Sequence, residues 1–419
     1  MSEVNQTKDA IQREAHAIWI GSGRQGTVAA GTGFGKSRIA TLEVERMWNE
    51  GMLMHDPFND DEEYDILLVS PTERLRDRNW PDEFDKWNIL PLFVSHVKSI
   101  CFASLKKEVG KKYKLVILDE IHRLTEMSAN AFKETGEDVL TEFLADNLSD
   151  AVLGLTATVP DHQRDPEKYR IIAQVAPVVF TYSLDQGVED NMIADYEIRV
   201  IVSELEDKVK TIAAGTKAKP FMVTEAKQYE YMDKQIIRYR AAAYDATDAK
   251  EAEKLTKQME LATYARNRFL YNLPTKSKLA KSCLKHMMGN KRTLVFCGSI
   301  AQCDELLAPN VFHSKSGKAG QLAFDAFNKK EISVLGVVNA ANEGINFVDL
   351  DQLLIIQIDS NPRNLVQRIG RGLRIREGHK AIIYILVVKD TADESWLEKA
   401  LDAFDRKKVT YYSAKHVPE

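Results

Sequence analysis

The sequence predicts an α/β protein of two parallel-sheet domains with a helical insertion between them. Three observations carry this: apolar runs of strand length alternating with helical stretches in two separate series, a phosphate-binding loop at the head of the first series, and a two-helix pattern dividing them. A chain of 419 residues with 44% hydrophobic content is long enough for each domain to bury its own core.

The first series follows a helical stretch at residues 11–19 and a glycine-rich loop at 21–26. Val28 and Ala29 end a short apolar run; Ala30, Gly31, Thr32, Gly33, Phe34, Gly35, Lys36 and Ser37 follow, and residues 38–48 read as a helix. Strand, loop and helix in that order are the context a phosphate-binding loop requires. Its glycines let the backbone close on phosphate oxygens, so that N–H groups and the positive helix end face the anion. Lys36 would reach the β- and γ-phosphates of a nucleotide and the Ser37 hydroxyl would ligate Mg2+. A glycine-rich turn before an ordinary helix is the bland alternative. Further apolar runs stand at residues 66–72, where a proline breaks the end, and at 99–102, 115–118 and 151–155. An acidic segment spans 56–63.

The second series starts at 293–296 and continues at 333–338, 352–357 and 381–388, before an amphipathic helix at 395–404. Between the series, residues 222–272 read as two helices broken near 246–248. Tyr229, Met232, Ile236 and Tyr239 stripe the first; Leu255, Met259, Ala262 and Phe269 stripe the second, as packing faces do. The implied boundaries are 1–185, a connector at 186–275 that carries the helical hairpin, and 276–419.

Composition excludes several classes. A net charge of −5 announces no polyanion partner, so any basic surface must be local. Cys101, Cys283, Cys297 and Cys303 form no CxxC pair and have no histidine at metal-ligand spacing, which suits free thiols in a reducing compartment. No apolar run approaches membrane-spanning length and no apolar signal core opens the chain, so a cytoplasmic protein without membrane contact is expected.

Residues 115–122 end an apolar strand with Asp119 and Glu120. A strand tip beside a phosphate-binding loop needs an acid to hold Mg2+ through its waters, and Asp119 is placed for that; Glu120 can orient and deprotonate the attacking water. The loop, then Asp119-Glu120-Ile121-His122, then Thr156-Ala157-Thr158, then Gln367-Arg368-Ile369-Gly370-Arg371-Gly372-Leu373-Arg374 together resemble the superfamily 2 DExH helicases. The resemblance runs from Gln12 to about Lys389 and is nearest to compact phage DNA helicases and translocases and their branched-DNA and repair relatives. It implies two RecA-like domains, ATP and Mg2+ as ligands, and nucleic acid as partner.

The resemblance also implies roles. Gln12 matches the glutamine that reads the adenine edge, for which an amide supplies both donor and acceptor. Thr156 and Thr158, with His122, match the segment that couples ATP state to domain closure. Arg371 and Arg374 match arginine fingers that neutralise charge on the transferring phosphoryl group, and Gln367 would contact the γ-phosphate or the water. Gly344 and Asn346 fall in the segment that touches ATP ribose, where asparagine replaces the usual aspartate. Pro71, Thr72 and Arg74, then Ser104, then Gly298 and Ser299, then Asn339 match strand-binding positions, whose contacts would run to phosphates. Arg238, Arg240, Arg266 and Arg268 of the insertion would be available for backbone contact. The expected function is an ATP-dependent motor on DNA, single-stranded, duplex or branched. A motor subunit of a nuclease or restriction complex, an RNA helicase and an ATP-gated nucleic-acid binder remain as alternatives.

Overall fold

The computed structural model describes residues 3–31, 33–54, 64–108, 111–124, 150–160, 162, 165–216, 218–289, 291–338, 347, 349–372 and 380–418. Two compact units divide the chain between Ala194 and Asp195.

The first unit runs α1 (Glu3–Gly21), β1 (Gln25–Ala30), α2 (Ser37–Asn49), β2 (Ile66–Ser70), α3 (Trp80–Lys86), α4 (Leu90–His96), β3 (Val97–Cys101), β4 (Leu115–Asp119), β5 (Val152–Thr156), α5 (Pro166–Val175), β6 (Val178–Tyr182) and α6 (Leu184–Glu189). Its strands form one sheet in the order β3-β2-β4-β5-β1-β6, with every pairing parallel. Parallel strands are joined by crossovers that cover both faces, so they read as unbroken apolar runs, and β2 and β5 are buried at every position. Alternation sorts the side chains. Ile66, Leu68, Leu115 and Ile117 enter one core with Trp19, Phe34 and Met47, while Leu67, Val69, Val116 and Leu118 enter another with Ile121 and Ile172.

The second unit contains β7 (Asp195–Ser203), β8 (Ile212–Thr216), β9 (Lys219–Val223), α7 (Glu225–Asp245), α8 (Ala249–Tyr271), α9 (Pro274–His286), β10 (Thr293–Phe296), α10 (Ile300–Leu307), β11 (Val311–Phe312), α11 (Gly317–Asn328), β12 (Val334–Val337), β13 (Gln352–Ile355), α12 (Pro362–Gly372), β14 (Lys380–Val388), α13 (Ala392–Leu401) and β15 (Val409–Ser413). Its main sheet is ordered β11-β12-β10-β13-β14-β7-β15 and is again parallel. β7 pairs with β14 along its whole length. The sequence reading passed over this strand because it lies far ahead of the second apolar series.

The expected insertion is present as α7 and α8, capped by the Thr224 and Asp248 side chains, which accept from the N–H groups of Lys227 and Glu251. Arg266 does not reach out as expected: its guanidinium pairs with Asp233 at 2.7 Å and ties the two helices together. Lys278, Lys281, Lys285 and Lys291 are exposed, but Lys276 is not. Lys276 is fully buried, 2.5 Å from Asp393 Oδ2 and 2.5 Å from Gln357 Oε1. No helix among the described residues is long and apolar enough to cross a membrane, and the four cysteines are free.

Candidate active site

The loop after β1 and the tip of β4 both lie at the carboxyl end of the first sheet, where open α/β sheets bind ligands. Gly33 and Gly35 adopt φ of 97° and 80°, a region that side chains rarely enter, so the loop needs glycine at both positions. The loop is gripped from outside. Lys8 Nζ donates to Gly33 O at 2.6 Å, and Gln12 Nε2 donates to Phe34 O at 2.6 Å and to Gly35 O at 3.2 Å. α1 thus holds the carbonyls of Gly33, Phe34 and Gly35, while Gly31 N donates to Tyr182 O at 2.9 Å. Phe34 packs into the core against Tyr182, ring centroids 5.0 Å apart. Lys36 Nζ donates to Ala30 O at 2.9 Å. Ser37 is the first residue of α2. Thr32 lies outside the described residues.

Asp119 ends β4. Asp119 is half-buried, and desolvation together with the neighbouring Glu120 pushes its carboxyl up to about 7, against the opposing pull of the Trp80 indole and the Lys36 ammonium. Trp80 Nε1 donates to Asp119 Oδ2 at 3.1 Å. Glu120 follows in the left-handed region at φ 52°. Its Oε2 is buried without a hydrogen bond, the His122 ring standing 3.3 Å away. Two crowded carboxylates with unmet electrostatic demand suit a divalent cation, and a hard, oxygen-binding ion such as Mg2+ fits the donor set of Ser37 and Asp119.

His122 connects this tip to the next strand. Its Nδ1 lies 2.9 Å from Thr156 Oγ1, which donates its only proton to Thr158 O at 2.8 Å. The Thr156 hydroxyl therefore accepts from the ring, which fixes the Nδ1–H form of His122. The Thr158 N–H closes the turn onto Thr156 Oγ1 at 3.2 Å. The first unit thus brings Gln12, the loop, Asp119, Glu120, His122, Thr156 and Thr158 together at one sheet edge.

The strand-binding candidates also cluster at strand ends. Pro71, Thr72 and Arg74 follow β2, and Ser104 follows β3, its neighbour. Thr72 Oγ1 accepts from Leu75 N at 3.3 Å and opens a π-helical turn over Leu75–Asn79. In the second unit, Ser299 caps α10: it accepts from Gln302 N at 3.2 Å and donates to Asn272 at 2.5 Å. Gly298 N donates to Gln302 Oε1 at 2.9 Å. Gln367 is half-buried on α12, whose backbone includes Arg371. Asn339, Gly344, Asn346, Arg374 and the Arg371 side chain lie outside the described residues.

Arg368, which could have belonged to a solvated basic face, turns inward. It donates to Gln357 O at 2.6 Å and pairs with Asp359 at 3.1 Å. The residues that sequence reasoning missed are Lys8, Trp80 and the segment after β6. The last had a visible signal, since Ser183 and Gln186 form a capping box that starts α6.

A loop of this geometry after β1, with paired carboxylates at the tip of β4 two strands along the sheet, on one of two parallel-sheet RecA-like units, is the arrangement of a nucleoside-triphosphate hydrolase of the helicase type. A family profile described as the helicase conserved C-terminal domain matches residues 275–376. A DNA 3'-5' translocase, XPB2 of Sulfurisphaera tokodaii, is 24% identical over 399 residues, spanning 91% of this chain and 82% of that protein. Among solved structures, yeast Dbp5 bound to RNA and ADP BeF3 matches with TM-score 0.54 at 13% identity, over 99% of this chain and 94% of that one. The Type ISP restriction-modification enzyme LlaBIII bound to DNA matches with TM-score 0.55 at 14% identity; the match covers 99% of this chain but only 31% of the enzyme. These likenesses support a protein similar to the superfamily 2 helicases and translocases.

Proposed function

We propose that the protein is an ATP-dependent DNA motor of the DExH type, which couples hydrolysis to movement along or remodelling of DNA. The observation that carries this reading is the likeness to a DNA translocase across nine-tenths of the chain, joined to the unsatisfied Asp119–Glu120 pair beside the phosphate-binding loop.

In this reading the loop N–H groups and Lys36 bind the β- and γ-phosphates, and Gln12, whose two Nε2 hydrogens go to Phe34 O and Gly35 O, offers only its Oε1, as acceptor to the adenine amino group. Mg2+, held by Ser37 and by Asp119 through water, would draw charge from the phosphate oxygens. Glu120 accepts the proton of the water that attacks the γ-phosphorus, as the bond to the bridging oxygen breaks and ADP leaves. Arg371 and Arg374 supply cationic charge in the transition state, with Gln367 at the γ-phosphate or the water. The Glu120–His122–Thr156–Thr158 chain carries the state of the phosphate site into the turn after β5.

ATP turnover measured with single-stranded, duplex, forked and four-way DNA and with RNA tests the reading, together with displacement of a roadblock from duplex DNA. Stimulation by DNA with roadblock displacement is expected. Stimulation by RNA alone, or DNA-dependent turnover without movement, would overturn it. The likeness to a restriction-modification enzyme favours a second reading, a motor subunit of such a complex, which co-purification of a nuclease partner would mark.

A further inference from the structure

A buried indole needs an acceptor for its N–H. Two other tryptophans find one on the backbone or close in sequence: Trp19 donates to Val152 O at 3.0 Å, and Trp87 to Glu83 Oε1, four residues back, at 2.8 Å. Trp80 is different. It is buried in the core with Ile66, Leu68 and Ile117 and packs against Phe84, ring centroids 6.4 Å apart, yet it donates to Asp119 Oδ2 at 3.1 Å. Its acceptor is the carboxyl that the motor reading gives to Mg2+.

The turn after β2 sets where that indole sits. Thr72 O accepts from Arg76 N at 3.1 Å and Thr72 Oγ1 accepts from Leu75 N at 3.3 Å, so the helical run starts on Thr72. Leu75 O then accepts from the N–H of Trp80, five residues on, and the π-helical turn over Leu75–Asn79 runs straight into α3. One residue more than an α-helical turn holds re-aims every side chain after it by about 100°, and such turns are rare and frequent at functional sites. Here the first side chain re-aimed is Trp80. A path of hydrogen bonds therefore leads from the Thr72 hydroxyl through both backbone groups of Leu75 to Trp80, and from its indole to Asp119.

We propose that Trp80 is a positioning residue that couples nucleic-acid contact at the turn after β2 to the Mg2+ carboxylate of Asp119. The proposal rests on the DNA-motor reading, which gives Thr72 to a backbone phosphate and Asp119 to Mg2+. The Thr72 hydroxyl accepts from Leu75 N and keeps its own proton to donate to a phosphate oxygen. A hydroxyl that donates to an anion becomes the better acceptor, so the Leu75 N–H is drawn in and the π-helical turn with it. The indole at the end of that turn moves with the backbone and carries the Asp119 oxygen it holds. Because the indole is a neutral donor, it fixes the carboxylate without cancelling the charge that a cation needs. DNA and Mg2+ then bind cooperatively, each tightening the other.

The test uses the full chain and reads the Mg2+ concentration at half-saturation for binding of a fluorescent ATP analogue, without DNA and with a single-stranded oligonucleotide at a concentration that saturates each protein. In the wild type, DNA should lower that midpoint about fivefold. Trp80→Phe keeps an aromatic ring and removes the donor, so its midpoint without DNA should rise about fivefold or more, and DNA should no longer shift it. Thr72→Val should keep the wild-type midpoint without DNA and lose the shift. Trp19→Phe, which loses a bond of the same kind to a backbone carbonyl, should behave as the wild type in both respects. A wild-type midpoint and DNA shift in Trp80→Phe would overturn the proposal; if that variant does not fold, a full DNA shift in Thr72→Val would overturn it instead. DNA that stimulates wild-type ATP turnover without moving the Mg2+ midpoint would overturn the coupling and leave the motor reading intact. A wild-type protein that neither binds DNA nor hydrolyses ATP faster in its presence would overturn both.

Discussion

Each unit holds a pair of carboxylates at the carboxyl end of its sheet, and the two pairs are treated oppositely. In the second unit Asp393 is fully buried, yet it meets Lys276 at 2.5 Å and Val388 N at 3.2 Å, while Asp359 holds Arg368 at 3.1 Å and Asn364 at 3.0 Å. In the first unit, among the described residues, the Trp80 indole donates to Asp119, and the neighbouring Glu120 Oε2 is buried without a hydrogen bond, the His122 ring standing 3.3 Å away. Burial alone does not mark a reactive group. A buried charge whose demand is met within the chain is structural, whereas one left unmet awaits a ligand.

The comparison is broken most sharply by variants of the unmet pair. Lys36→Ala and Glu120→Gln should each lower ATP turnover by about 10³-fold or more with little change in melting temperature, and Glu120→Gln should still bind nucleotide. Near-normal turnover in Glu120→Gln would remove it as the base. On the other side, Asp393→Ala should leave Lys276 buried and unpaired and destabilise the second unit by about 3–5 kcal/mol in urea unfolding. Replacing both, as Lys276→Met/Asp393→Leu, should recover most of that loss. If Asp393→Ala unfolds like the wild type, the pair is not structural.

How much of this was legible depends on how local the signal is. The loop, Asp119 and Glu120 declare themselves because each signal is carried by one short stretch of sequence. The α7–α8 hairpin was equally plain, since helical periodicity and a break near 246–248 are sequence-local. β7 and Lys276 were not. The partner of β7 lies at Lys380–Val388, and the partner of Lys276 is Asp393, so only the folded chain shows that strand as internal and that lysine as buried. The inward turn of Arg368 was hidden for the same reason, because its acceptors at Gln357 and Asp359 precede its helix.

Smaller effects sharpen the contrast. Thr156→Val removes the acceptor for His122 Nδ1, and should leave basal turnover within a few-fold while reducing stimulation by DNA about tenfold. Equal loss of basal and stimulated rates would make Thr156 a residue of the hydrolytic step itself.

The smallest expected effect is on stability against pH. Asp119 rises from an ordinary value of 3.8 to about 7, so the cation-free protein keeps its full contribution below about pH 4 and loses it as pH climbs through 7. Asp119→Asn escapes that loss and should be more stable than the wild type at pH 8, with the difference vanishing near pH 4. A constant difference across that range would mean that Asp119 is ionised at no cost.

The central proposal is that Mg2+ binds at the tip of β4 together with nucleotide. Binding of a fluorescent ATP analogue to wild type and to Asp119→Asn at pH 8, each with and without Mg2+, tests it directly. Mg2+ should tighten wild-type binding by about tenfold or more and leave the variant nearly unchanged. The same Mg2+ dependence in both proteins would contradict the account.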